Sequence, residues 1–246
     1  IAHDIQLGMV PKQFIPPSGR ETIDIHAVLR PAKQVGGDLY DYFMLNEDEF
    51  GFAIGDVSGK GVPAALFMST TISQMRSVAM LDTSLNYIVN VINRSLIRNG
   101  NTSMFVTFFA GVLNLNTRRL RFCNAGHPYP IIIKPDGTVE MFKTADNLPL
   151  GVSSDYEYEE QECYFASGSQ LLLYSDGVTE AQNEDAKFYK IDRLFQFVEE
   201  NKNLSSKELV EKIIAHVDAY AGKAEQSDDL TVMSLRYEKQ KGVRWL

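Results

Sequence analysis

The chain has 246 residues, 44% of them hydrophobic, with 24 Lys and Arg against 32 Asp and Glu and a formal net charge of −8. That is enough apolar residue for one large domain or two small ones, and the acidic balance argues against a nucleic-acid partner. No apolar run approaches the roughly 20 residues needed to cross a bilayer, and the N-terminus does not read as a signal peptide.

Residues 1–14 read as a short helix with Ile5, Leu7 and Met9 as its apolar positions, ending before Pro16-Pro17. Ile23, Ile25, Ala27 and Leu29 alternate with their neighbours as a strand does, and 39–45 and 50–54 form a second strand pair around a polar turn at 46–49. From Gly61 the period changes: Ala65, Met68, Ile72, Met75 and Ala79 mark one face of a long helix, and Leu85, Ile88, Val89, Ile92 and Leu96 mark a second. Both need a sheet to cover. Strands follow at 105–115 and 119–123, then a hairpin of 131–134 and 139–142 around Pro135-Asp136-Gly137, a weak alternation at 156–164 and a buried run at 171–174. Two further helices come next, the second opened by a Ser205/Glu208 capping box and burying Leu209, Val210, Ile213, Ile214 and Val217; 230–237 closes the sheet.

This order predicts an α+β fold: two mainly antiparallel sheets packed face to face, with helices outside, a four-layer α-β-β-α sandwich. No linker divides the chain, which is expected to comprise a linker helix at 1–16, one domain at 17–238 and a tail at 239–246. The start at Ile1, inside a helix, reads as a fragment of a longer, cytoplasmic protein. Cys123 and Cys163 lie in strand-like stretches and read as buried free thiols.

Four acidic signatures carry the chemistry: Gly36-Gly37-Asp38-Leu39-Tyr40-Asp41, Gly55-Asp56-Val57-Ser58-Gly59-Lys60-Gly61, Ser175-Asp176-Gly177 and Ser227-Asp228-Asp229. Each sets an Asp beside Gly or Ser where a strand starts or stops. Carboxylates gathered without Cys or His beside them suit hard octahedral cations such as Mg²⁺ or Mn²⁺. The loop at Gly55 is not a P-loop, which needs four residues between its glycines and Ser or Thr after the Lys. Asp176 ends a buried strand, a costly place for a charge unless it is paired or metal-bound. The adjacent Asp228 and Asp229 repel unless a cation lies between them or they point apart.

Together with Asn124-Ala125-Gly126-His127-Pro128 and Leu148-Pro149-Leu150-Gly151, these motifs closely resemble the metal-dependent Ser/Thr protein phosphatases, and more narrowly their bacterial SpoIIE/RsbU-type branch, over nearly the whole chain. The resemblance implies a β-sandwich between helical layers with two Mn²⁺ or Mg²⁺ ions at one end. It assigns Asp56 to bridge both ions, the Val57 carbonyl to one of them, Asp176 and Asp228 to the other, Asp38 to the coordination sphere or just outside it, and Asp229 to a supporting position. The nucleophile is then a metal-activated water, with no side-chain nucleophile. Lys33 stands nearest the position where the eukaryotic branch holds phosphate with an Arg; it is either a phosphate contact or a solvated lysine. His127 is either a general acid or a hydrogen-bonded structural histidine. The branch further implies a phosphorylated STAS-type anti-sigma-factor antagonist as substrate, an N-terminal sensor region outside this sequence, and a homodimer through the N-terminal helix. The competing class is a catalytically silent phosphoprotein-binding scaffold of the same fold.

Overall fold

The computed structural model describes residues 2–14, 23–81, 84–99 and 104–238; the predicted tail at 239–246 and Pro16-Pro17 lie outside them. One five-stranded sheet has the order β1 (Ile23–Arg30), β10 (Leu230–Tyr237), β9 (Gln170–Tyr174), β6 (Ile131–Ile133), β7 (Val139–Met141). The other runs β2 (Leu39–Met44), β3 (Glu49–Val57), β4 (Val106–Asn114), β5 (Arg119–Ala125), β8 (Gln161–Tyr164). Every pairing between these strands is antiparallel. Helices α2 (Val62–Ala79) and α3 (Leu85–Asn99) cover the second sheet, and α6 (Ser206–Ala221), with α5 (Ile191–Glu200) beside it, covers the first. The four-layer sandwich expected from element order is the fold observed.

The strand period of two builds this layering. Along β10, Met233, Leu235 and Tyr237 enter the core between the sheets, while Leu230 and Val232 face the core beneath α5 and α6. β9 does the same, with Leu171 and Leu173 inward and Leu172 and Tyr174 outward. An aromatic stripe fills the space between the sheets: Phe50, Phe52, Phe109 and Phe122 follow one another with centroids 6.1 to 6.3 Å apart, and Phe142 closes on Phe122 at 4.8 Å. Gly111 pairs directly with Phe52. A Cβ on Gly111 would fall inside contact distance of the Phe52 ring.

The predicted helix faces hold, with local differences. On α2 the buried positions include Ala64, Met68, Ile72, Met75 and Ala79, so Ala64 replaces the expected Ala65 at the first turn. The capping box at Ser205 and Glu208 is formed, with Ser205 Oγ accepting from the Glu208 N–H. On α6, Ile214 is only partly buried. A short helix that the sequence reading missed, α4 (Asp176–Thr179), follows β9. The strand expected at 156–164 is confined to Gln161–Tyr164. Cys123 is buried and Cys163 half-buried, both unpaired thiols.

The N-terminal helix departs most from expectation. It spans Ala2–Leu7 and ends at Gly8, whose N–H turns back on the Asp4 and Ile5 carbonyls. Its burial differs from the expected face: Ile5 is 63% exposed and the buried residue is Gln6, while Leu7 is half-buried against the core. Beyond it, the Pro11 carbonyl accepts from the Tyr40 hydroxyl at 2.9 Å, and Phe14 packs edge-on against Phe50 at 4.9 Å.

Overpacking a core costs about 1–3 kcal/mol. Gly111→Ala is expected to lower unfolding stability in urea by that amount, and Phe52→Leu in the same chain to recover part of the loss. Equal losses with and without Phe52→Leu would show that the glycine serves something other than the Phe52 ring.

Candidate metal centre

All four acidic signatures meet at one end of the sandwich, at the seam between the sheets. Asp38 lies at the head of β2, Asp56 and Val57 end β3, Asp176 follows β9 and opens α4, and Asp228 and Asp229 precede β10. Glycines let these backbones close on one another. A Cβ on Gly36 would collide with the Asp229 carboxylate, one on Gly177 with the Asp229 carbonyl, and one on Gly37 would lie 2.7 Å from the Val57 oxygen. Gly36, Gly37 and Gly177 are required for the space they leave, since none has a positive φ.

Asp229 holds the loop before β2. Its Oδ1 accepts from the Ala32 N–H at 2.8 Å, and its Oδ2 from the Gly37 N–H at 2.6 Å and the Asp38 N–H at 3.4 Å. Asp38 is fixed through one oxygen only. Oδ2 accepts from Ser175 Oγ at 2.7 Å and Thr231 Oγ1 at 2.6 Å, whereas the buried Oδ1 has no partner within hydrogen-bond geometry. Ser175 and Thr231, which sequence reading did not single out, thereby tie the head of β2 in one sheet to β9 and β10 in the other.

The electrostatics follow from burial. Asp38 is held well above the usual carboxylate range, chiefly by desolvation and against the hydrogen bonds from Thr231 and Ser175. Asp56 is raised as well, by desolvation first and then by the charges of Asp38 and Asp176. Asp176 is raised by desolvation, Glu180 and Asp228. Lys60 bonds Asp228 Oδ2 at 2.8 Å and the Ser227 carbonyl at 2.5 Å. As they stand, no three acidic, His or Cys side chains among the described residues converge at chelating distance on a single point. The Lys60 ammonium offsets part of the negative charge instead. The donor set is nonetheless all oxygen, and the unpartnered Asp38 Oδ1 beside Asp56 is an acceptor that a hard cation satisfies. The residues fit such an ion.

Asp41, in the same motif as Asp38, belongs elsewhere: it is fully buried and forms a two-pronged pair with Arg76 of α2, at 2.6 and 2.8 Å. Lys33 is exposed on the loop before β2. The ammonium bonded to one of these carboxylates belongs to Lys60, a residue visible in the sequence only as part of the loop after Asp56. His127 is 4% exposed, with Nδ1 3.0 Å from Thr107 Oγ1 and its backbone looped onto Asn124. Burial pushes its ring down to about 3, against a smaller upward pull from the Tyr174 carbonyl. That carbonyl lies outside hydrogen-bond geometry with Nε2, which has no partner. Asp176 and His127 border an open 440 Å³ cleft, and Gly177 and Asp228 border a second of 310 Å³.

Residues 46–238 match the family model for Stage II sporulation protein E (SpoIIE). The chain belongs to the SpoIIE family. Among curated relatives it is 33% identical over 193 residues to the phosphoserine phosphatase RsbU of Bacillus subtilis, covering 78% of this chain and 57% of RsbU. It is 29% identical over 241 residues to protein IcfG of Synechocystis, covering 86% of this chain and 37% of IcfG. The chain thus spans little more than half the length of the first relative and less of the second. The SiaA-PP2C domain of Pseudomonas aeruginosa superposes with a TM-score of 0.84 at 21% identity, covering 96% of this chain and 94% of that domain. That likeness establishes a PP2C-type fold for this SpoIIE-family chain.

A carboxyl raised above its unfolded value keeps its proton longer in the folded chain. The stability it contributes is full below the ordinary carboxylate range and is lost as pH rises toward the shifted value. In the presence of chelator, the melting temperature is therefore expected to fall between pH 5 and pH 8, and Asp56→Asn to flatten that fall. Mn²⁺ is expected to restore the melting temperature at pH 8. A parent chain whose melting temperature rises over that range in chelator would contradict the assignment of buried, mutually repelling carboxyls.

Proposed function

We propose that this SpoIIE-family domain is a serine/threonine protein phosphatase that binds two divalent cations, Mn²⁺ or Mg²⁺, through Asp38, Asp56, the Val57 carbonyl, Asp176 and Asp228. The observation that carries this reading is Asp38: a fully buried carboxylate with one oxygen held by Ser175 and Thr231, the other unpartnered, beside a second raised carboxyl. Two such cations would offset charge on a phosphoryl group and make water acidic enough to attack it. The chain's own residues hold the ligands in place. Asp229 fixes the Gly37 and Asp38 amides, Ser175 and Thr231 orient Asp38, and Lys60 balances Asp228. The phosphoserine phosphatase relative RsbU supports phosphoserine as the bond cleaved.

The finer reading is a phosphorylated STAS-type protein as substrate, in a cytoplasmic signalling protein with a sensor region N-terminal to this sequence and a homodimer contact through the N-terminal helix. The open clefts, one bordered by Asp176 and the other by Asp228, leave room for a protein-borne phosphoserine. No helix among the described residues is long and apolar enough to cross a membrane.

Phosphate release from a phosphoserine STAS protein and from an aryl phosphate is expected to require Mn²⁺ and to stop with chelator. Loss of residues that merely orient metal ligands costs 10–100-fold, so Asp176→Asn is expected to cost at least about 100-fold. Neither release nor Mn²⁺ uptake would favour the scaffold reading; release unaffected by chelator would refute the metal reading.

With its pKa near 3, His127 is neutral at working pH and is proposed as a structural residue that joins β4 to the loop after β5. His127→Gln is expected to leave the shape of the pH–rate profile between pH 5.5 and 8 unchanged. Disappearance of one limb would restore the general-acid role.

A further inference from the structure

Gln6 is the polar residue buried on a six-residue helix whose apolar Ile5 points to solvent. Its side-chain amide forms a reciprocal pair with one residue of the ligand-bearing loop: Nε2 donates to the Gly36 carbonyl at 2.6 Å, and Oε1 accepts from the Gly36 N–H at 3.0 Å. Both bonds are buried, so neither Gly36 group has water as a substitute partner. The next two amides, of Gly37 and Asp38, are the ones that Asp229 accepts. Three consecutive residues, Gly36 to Asp38, are therefore held from opposite sides: by a carboxylamide of the N-terminal helix and by a carboxylate at the head of β10.

We infer that Gln6 is a positioning residue for the metal centre, fixing the Gly36–Asp38 backbone that carries Asp38 and its unpartnered Oδ1. The inference rests on the two-cation reading of that site. The chemistry of the residue supports it. Glutamine is the side chain that donates and accepts at once with a geometry matching a peptide unit, and an apolar residue here would leave two buried backbone groups unsatisfied. The anchor itself is secured independently. The Met9 carbonyl accepts from Arg76 and the Pro11 carbonyl from Tyr40, so the segment after Gln6 is fastened to α2 and β2. Losing the Gln6 pair would thus release the loop without detaching the segment.

The test is Mn²⁺ titration of the parent chain, Gln6→Leu and Gln6→Glu, together with amide hydrogen exchange and melting temperature of the metal-free proteins. Leu keeps the volume and loses both bonds; Glu keeps the acceptor for the Gly36 N–H and loses the donor. Gln6→Leu is expected to weaken Mn²⁺ binding about tenfold and to speed exchange of the Gly37 and Asp38 amides, with protection of β4 and β9 amides unchanged. Gln6→Glu is expected to fall between Gln6→Leu and the parent. Parent-like Mn²⁺ affinity in Gln6→Leu would overturn the inference, as would a weakening accompanied by a lower melting temperature and faster exchange throughout the sheets, which marks a merely structural role. A parent chain that takes up no Mn²⁺ overturns the two-cation reading itself, an outcome told apart because it appears before any variant is compared.

Discussion

Carboxylates crowded into a poorly hydrated corner must be balanced by something, and the end of the sandwich is organised around that requirement. Two unit negative charges about 4 Å apart repel by roughly 4 kcal/mol at an effective dielectric constant near 20. The upward shifts of Asp38, Asp56 and Asp176, each led by desolvation, express that penalty. Asp41 is equally buried, but its carboxylate is met by a two-pronged guanidinium from Arg76. The contrast separates two uses of a buried acid in one motif: Asp41 holds α2 to β2, and Asp38, three residues earlier, has no side-chain cation on it.

This arrangement depends on both sheets ending at the same place. β2 and β3 belong to one sheet, β9 and β10 to the other. The hydrogen bonds of Ser175 and Thr231 to Asp38 cross that seam, and so do the bonds of Asp229 to the amides before β2. The proposed ligands thus serve as the closure of the sandwich at this end. The closeness demands glycine, because any Cβ at Gly36 or Gly177 would meet Asp229. The same packing that brings the acids together removes the water that would otherwise screen them.

Much of this was legible from sequence because it rests on periodicity and on short-range chemistry. Alternation placed β1, spacing of three and four placed α2 and α3, and the Ser205/Glu208 pair marked the start of α6. The Asp-Gly and Gly-Gly-Asp signatures marked strand ends, because an acid beside a glycine has little reason to lie inside a strand. What failed to show was set by long-range contact. The helix at the N-terminus offered Ile5 as its core residue, yet a six-residue helix lying on a loop buries what that loop needs, here the hydrogen-bonding Gln6. Ala64 took the place of Ala65 because positions three and four residues before Met68 both lie near its face, and spacing alone does not choose between them. The partnership of Lys60 with Asp228 spans 168 positions, and nothing local announces it.

Adjacent Asp228 and Asp229 show how hydrogen-bond accounting distinguishes acids that a sequence cannot. A carboxylate has about four acceptor sites on its two oxygens. On Asp229 both oxygens are taken by backbone amides, so turning it toward an ion would orphan the buried Gly37 N–H and the part-buried Ala32 N–H. On Asp228 one oxygen caps its neighbour's amide, and the other holds only the exposed-side Lys60 ammonium, which solvent can accept in exchange. Asp38 lies between these cases, with one oxygen committed and one free. Ranked by what each would forfeit, Asp228 and Asp38 are available to a cation and Asp229 is not. On the proposed assignment the carboxylate that stays off the ion is still one whose loss would move the rest, since with Gln6 it fixes the backbone on which Asp38 is carried.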